Sequence, residues 1–361
     1  MGSGVDTPEH SEVEWSEVLA SVVSGSDLDA GTAREVMAEI LAGAATPVRV
    51  GGLLCALRTK GESAGEVSGM VAAMLDAAAP LELPDPSGTL DLVGTGGSPA
   101  LAKGAFNVST MSSIVAAACG ATVCKHGNRK ASSTSGSTDL LEALRVEVEL
   151  NGPGVVACVR DAGVGFAFAR MFHPAMAHAA PVRAELGIPT VFNLLGPLSH
   201  PGRVGLQVIG VADPNRVELV AAAVAQRGTV RTWVVHGHGG LDELTTTDAT
   251  TVIELRDRTE VGRFEVTPEE LGLSRVRVGE ISVGDAAANA AAAESLFEGQ
   301  DGPVADMVAL NSAAGLVVAG LAPDLAGGVE MAREALRGGH AAATLGRLVA
   351  ASRAASSGSV D

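Results

Sequence analysis

Residues 90–139 read LDLVGTGGSPALAKGAFNVSTMSSIVAAACGATVCKHGNRKASSTSGSTD. The apolar run Leu90 to Val93 ends in Gly94-Thr95-Gly96-Gly97. Asn107-Val108-Ser109-Thr110 then opens a helix pattern of small residues that Gly120 can close. A second apolar run, Thr122 to Cys124, delivers Lys125-His126-Gly127-Asn128-Arg129, and the hydroxyl-rich loop Ser132 to Ser137 leads into another helix pattern from Asp139. Strand, glycine loop, helix, strand, basic loop, helix predicts a βαβα unit with its polar groups gathered where strands end. Glycine permits positive φ and close approach of a ligand to backbone N–H groups. Those groups, with a helix N-terminus at Asn107, suit an anion. The expected ligand bears phosphate.

The glycine loop fits neither common nucleotide motif. It lacks the Lys-Ser/Thr of a P-loop, and Pro99 stands where a dinucleotide fingerprint needs its third glycine. Alone it reads equally well as a structural turn. Four ordered elements, GTGG, NVST, KHGNR and SGS followed by Asp139, are far more specific.

Composition bounds the remaining classes. At 361 residues, with 47% hydrophobic residues and 45 Gly, the chain reads as a globular α/β protein of two domains or subdomains. Its 25 basic against 42 acidic residues give a net charge of −17, which disfavours a generally basic nucleic-acid surface. Lys125, Arg129 and Lys130 make a local basic exception in the expected site. The four cysteines, Cys55, Cys119, Cys124 and Cys158, follow no metal or disulfide spacing and read as buried free thiols. No run is long enough to span a membrane, and the N-terminus has no signal pattern, so a cytoplasmic location is expected.

Along the chain, residues 1–14 and 352–361 read as flexible tails. Residues 15–80 read as a helical subdomain: Val67, Met70, Val71, Met74 and Leu75 form one apolar stripe behind a Ser63/Glu66 capping box. Residues 88–150 and 187–351 read as an α/β domain with a mainly parallel central sheet flanked by helices. Residues 151–186 read as helical or irregular, joining the helical subdomain. Within the α/β part, VEVEL (146–150) reads as a strand or a hinge. Pro189 to Asn193, Leu206 to Val211 and Thr229 to Val235 read as strands, and Pro214 to Arg227 as a crossover helix. Asp285 to Gly299 and Val304 to Gly320 read as Ala-rich helices.

Three further constellations could carry chemistry. Asp242-Glu243 follows a glycine-rich strand exit, where two carboxylates in a loop can bind a hard cation; elsewhere such a pair is usually just solvated. Arg183 lies in an otherwise apolar helix pattern after His173-Pro174-Ala175-Met176, where an Arg most often forms a structural ion pair. His173 and His178 have the wrong spacing for a helical metal pair. FNLLGPLSHP (192–201) reads as strand and turn.

With GTGG, NVST, KHGNR, HPAM…APVR, FNLLGPL and LDE in order, nearly the whole chain closely resembles the anthranilate phosphoribosyltransferase family. The resemblance implies Mg²⁺-dependent transfer of a 5-phosphoribosyl group from its 1-diphosphate to anthranilate, without a covalent nucleophile. It assigns Gly94, Gly97, Ser98, Asn107, Val108, Ser109, Thr110, Lys125, His126, Gly127, Asn128 and Ser137 to the donor. It assigns Gly94, His126, Asn128 and Arg183 to anthranilate, with Arg183 and Asn128 positioning it. Ser109, Asp242 and Glu243 would hold two Mg²⁺ ions. It implies a homodimer through the helical subdomain, small-molecule substrates, no nucleic acid and no membrane. Departures stand at Ser98, where the family has Asp, at the loop insertion Pro99 to Leu101, and at Ser199-His200, where Thr-Asn is usual. These leave open a different aromatic amine as acceptor. Two more distant readings are a nucleoside phosphorylase of the same fold and a non-enzymatic nucleic-acid-binding relative.

Overall fold

The computed structural model describes residues 13–101, 104, 106–129 and 134–358. The expectations for residues 1–12, Lys130, Ser132 and 359–361 lie outside them.

The chain starts with four helices, α1 (Trp15–Val23), α2 (Ala30–Leu41), α3 (Pro47–Lys60) and α4 (Ala64–Asp76). Each of the last three has the N-cap its sequence announces. Asp29 accepts from the Gly31 and Thr32 amides, Thr46 caps α3 ahead of Pro47, and Ser63 with Glu66 closes the expected capping box. Glu66 is fully buried, where it also accepts from Leu28 N and pairs with Lys60 at 3.0 Å. Val67, Met70, Val71 and Met74 are buried, as their spacing predicts.

A seven-stranded sheet follows, in the order β3-β2-β1-β4-β5-β6-β7. Its members are β1 (Leu90–Gly94), β2 (Val123–Gly127), β3 (Val164–Phe168), β4 (Leu206–Gly210), β5 (Arg231–Gly237), β6 (Thr250–Arg256) and β7 (Thr259–Val266). The first five run parallel and the last two are added antiparallel. Alternation along the strands divides the interior into two cores. Val208, Val235 and Val252 face one; Ile209, Val234 and Ile253 face the other.

The first core is covered by α5 (Val108–Ala118), α6 (Ser137–Ala143), α7 (Gly152–Ala162), α12 (Ala286–Phe297), α13 (Pro303–Val318), α14 (Leu325–Arg337) and α15 (His340–Ser356). The second is covered by the four N-terminal helices, with α9 (Ala180–Leu186), α10 (Phe192–Leu198) and α11 (Val217–Arg227). The short α8 (Ala169–Phe172) joins β3 to the segment before α9. An ion pair between Arg216 and the buried Glu62 ties the α3–α4 loop to the start of α11.

Several expectations need correction. Residues 151–163 do not join the helical subdomain: α7 packs against the sheet, Gly163 ends it at φ 77°, and the fully buried VGFAF forms edge strand β3. Residues 192–198 are helical, not strand; a short apolar run carries no period that separates the two. Residues 146–150 pair with no strand, although Val146, Val148 and Leu150 are buried. The C-terminal helix continues through Ser356, and the buried Ser352 accepts from Glu147 N at 3.1 Å. Cys124 and Cys158 are buried free thiols as expected, but Cys55 and Cys119 are only half-buried.

Candidate active site

Strand order reverses between β1 and β4, and a crevice outside the carboxyl ends of the strands opens at such a point. Here it is a cavity of about 510 Å³. Gly94, Gly97, Ser98, Asn107, Ser109, Lys125, His126, Gly127, Asn128, Ser137, Asp242 and Glu243 all line it. Three separated stretches of sequence thus meet in one place. Val108 and Thr110 are not in its wall; both are buried in α5. Arg183 lies outside the lining too, with its guanidinium 5.0 Å from the Phe192 ring centroid.

Close packing brings the acidic loop over the strand ends. Gly94 and Gly210 are paired across β1 and β4. A Cβ on Gly94 would lie 2.2 Å from Asp242 Oδ2, and one on Gly210 would lie 1.5 Å from the Asp242 carbonyl oxygen. Asp242 then meets the glycine loop directly. Its Oδ2 accepts from Gly96 N at 2.7 Å, its Oδ1 accepts from Ser98 Oγ, and its own N–H donates to Ser98 Oγ at 3.1 Å. Gly96 and Gly97 have φ of 69° and 77°, which glycine adopts without strain. Across the cavity, the absent side chain of Gly127 leaves room for Ser137 Oγ, which donates to Asn128 O at 3.1 Å.

The charges are arranged unequally. Burial pushes the Glu243 carboxyl well up, with Asp242 as the next cause, and its Oε2 is sealed from solvent without a hydrogen-bond partner among the described residues. Lys125 is buried and donates to Leu92 O at 2.5 Å; desolvation lowers its pKa against the attraction of Asp91, Asp242 and Glu243. His126 is buried, its Nε2 without a hydrogen-bond partner among the described residues, its ring 5.2 Å from His173 and 5.6 Å from His200. Burial first, then these two rings, pushes its pKa well below the usual imidazole value. Arg129 is committed elsewhere, to Glu142, Glu149 and Asp139, so it is not the free cation expected. Arg183 has no acidic partner among the described residues, and desolvation lowers its pKa.

Among the described residues no cluster of three His, Cys, Asp or Glu can enclose a metal by itself. Two adjacent carboxylates, one with an orphaned buried oxygen, are an oxygen-only donor set. Such a set suits a hard cation that takes its remaining ligands from water and phosphate. Asn193, from α10, also lines the cavity and had no assigned role in the sequence reading. Its signal was there, a lone amide in an apolar run. Asp91, a lone acid inside the strand LDLV, carried the same kind of signal.

Residues 16–78 match the model of the "Glycosyl transferase family, helical bundle domain", and residues 87–342 that of the "Glycosyl transferase family, a/b domain". Over 338 residues the chain is 46% identical to the anthranilate phosphoribosyltransferase of Chloroflexus aggregans, covering 93% of this chain and 98% of that one. The chain belongs to the anthranilate phosphoribosyltransferase family. It is therefore a transferase, of a family that serves tryptophan biosynthesis. The family member from Thermus thermophilus superposes with a TM-score of 0.86 at 45% identity, covering 93% of this chain and 99% of that one. The Saccharomyces cerevisiae enzyme, in complex with PRPP (5-phosphoribosyl 1-diphosphate) and Mg, superposes with a TM-score of 0.87 at 27% identity, covering 96% and 99%. No helix of the described residues is long and apolar enough to cross a membrane.

Proposed function

We propose that the chain transfers the 5-phosphoribosyl group of 5-phosphoribosyl 1-diphosphate to the amine of anthranilate, giving N-(5-phosphoribosyl)anthranilate and diphosphate. The observation that carries this reading is the Asp242-Glu243 pair, hydrogen-bonded to the glycine loop through Asp242, with a buried Glu243 oxygen that has no hydrogen-bond partner among the described residues, in the wall of one cavity. Asp242, Glu243 and Ser109 would hold two Mg²⁺ ions. Bound Mg²⁺ would supply charge neutralisation on the departing diphosphate.

The chain's own residues do the rest. The amides of Gly94, Gly97 and Ser98, and those of Val108, Ser109 and Thr110 at the α5 N-terminus, bind phosphate oxygens, with Asn107, whose own N–H donates to Asn289 Oδ1 at 3.0 Å, at the edge of the same subsite. Val108 and Thr110 contribute backbone only, in keeping with their buried side chains. Lys125, Gly127 and Ser137 complete the donor subsite. Arg183, with no acidic partner among the described residues, pairs through its planar fork with the anthranilate carboxylate, while Asn128 and His126 meet the ring and amine beside Gly94. Orientation then supplies much of the rate, since an unprotonated aryl amine is already a nucleophile. No covalent intermediate is required. A homodimer through the helical bundle belongs to the same reading.

The test is diphosphate release from the donor with Mg²⁺ and anthranilate, followed alongside the loss of anthranilate fluorescence. Turnover that disappears in Asp242→Asn with Glu243→Gln would support the reading. Near-normal turnover in that double variant would sink the metal assignment. Release only with a different aromatic amine would favour the second reading, which rests on Ser98 and the Pro99–Leu101 turn beside the cavity.

A further inference from the structure

β2 leaves β1 early. Their register contains one pair, Leu90 with Val123, whereas β2 stays paired with β3 from Val123 to Gly127. Beyond Val123, the backbone groups of β2 that would have met β1 need other partners. Two side chains supply them. His200 Nε2 bonds the Cys124 carbonyl at 2.8 Å, and Asp91 Oδ1 accepts from His126 N at 3.0 Å. These are the two peptide groups that flank Lys125.

Each side chain is itself held. His200 Nδ1 accepts from Gly202 N at 3.0 Å, which fixes the ring proton on Nε2 and makes it the donor to Cys124. Asp91 Oδ2 accepts from Gln207 Nε2 at 3.2 Å, and Gln207 Oε1 accepts from Arg227. Arg227 also donates to the Leu198 carbonyl, next to Ser199-His200. One guanidinium therefore secures both arms. His200 and Asp91 are 1% and 0% exposed, so these groups have no water to turn to.

We propose that His200 and Asp91 are positioning residues that replace β1 along β2 from Cys124 to His126. They hold the two strands apart and present Lys125 and His126 to the cavity. What the cavity binds rests on the function proposed above; the wedge itself does not. The position where the family usually has Asn then makes chemical sense, because an Asn amide offers the same two services, one acceptor for Gly202 N–H and one donor for the Cys124 carbonyl.

The experiment compares His200→Ala, His200→Asn and His200→Leu in the full chain, by melting temperature, by kcat/KM, and by imidazole NMR of the substrate-free protein. His200→Ala leaves two buried polar groups unpaired and is expected to lower kcat/KM by roughly tenfold or more. It is also expected to shift the His126 ring resonances without any substrate. Ala, Asn and Leu all remove the ring that lies 5.6 Å from His126, so the resonances are compared among the variants: His200→Asn should recover kcat/KM and differ in its His126 resonances from Ala and Leu, and His200→Leu, which refills the volume alone, should recover neither. If Leu rescues as well as Asn, or the His126 resonances of the Asn variant coincide with those of Ala and Leu, the proposal is overturned. Should Ala fail to fold, the Asn–Leu comparison still decides it. If the wild type does not turn over anthranilate while the resonances move as expected, the reaction assignment falls and the positioning role stands.

Discussion

Gly210 shows how one missing side chain can admit a functional group. It does not have positive φ, so what it supplies is space: a Cβ there would sit 1.5 Å from the Asp242 carbonyl oxygen and 2.3 Å from its carbon. Those are backbone atoms that cannot swing aside. Gly210→Ala must push the Asp242 loop off the strand ends, at a cost expected to be about 2–4 kcal/mol, measurable by denaturant unfolding. A cost under half of that would mean the loop is free to relax. Arg183 is the opposite case, a half-buried charge over the Phe192 ring with no acidic partner among the described residues. Arg183→Ala should raise the acceptor KM by roughly tenfold or more through loss of a bidentate carboxylate contact, with the donor KM within about twofold. Equal rises in both would remove Arg183 from the acceptor site. Lys125, Asn128 and the Asp242-Glu243 pair were legible in the sequence because polar residues at strand exits announce themselves locally. Asp91, Gly210 and His200 act on residues far away in the chain, and nothing adjacent to them points to those partners.

Elements were legible where a local rule ended them. α4 begins where the Ser63/Glu66 capping box places it, whereas the caps at Asp29 and Thr46 that divide α2 and α3 were not drawn from the continuous helical pattern. The hairpin β6–β7 was missed because its turn is Asp257-Arg258, at φ 43° and 73°, in place of the Asn-Gly such a turn favours. α6 carries a similar departure at its end. Arg145 N donates to Glu142 O at 2.9 Å and Val146 N to Leu141 O at 2.9 Å, a Schellman closure with Val146 and Leu141 buried together. The residue this motif places in the left-handed region is Arg145, at φ 69°, where glycine is preferred. Its ion pair with Glu294 at 3.3 Å is exposed and contributes little. Arg145→Gly is therefore expected to stabilise the protein by about 0.5–1 kcal/mol, since relief of strain outweighs the added freedom of the unfolded chain. A thermal melt that moves down would show that the guanidinium contact outweighs the strain.

At the scale of the whole molecule, two cores share one sheet, and the N-terminal bundle closes the second of them over Ile209, Val234 and Ile253. The two-part division was legible because helices without strands precede the first strand. The partition of α7 and α10 was not, since it depends on which sheet face each meets. The histidine group stands on three elements of this assembly: His126 on β2, His173 after α8 and His200 after α10. Burial holds all three neutral in the folded protein, with His173 pushed from 6.5 down to about 4. Unfolding returns each ring to water, where it takes up a proton below pH 6.5. The unfolded chain therefore binds more protons between pH 6.5 and 4, and stability falls as pH drops through that window while remaining complete above it. His173 alone, which is 6% exposed, should account for about 2 kcal/mol of loss between pH 7 and pH 5. Carboxylates add to the slope in any variant, so the informative quantity is the difference between wild type and His173→Gln. The wild type should lose about 2 kcal/mol more than the variant over that interval, read by denaturant unfolding at each pH. Parallel losses in the two proteins would mean that the His173 ring titrates in the fold as it does in the unfolded chain, and the neutral cluster behind the cavity would have to be abandoned.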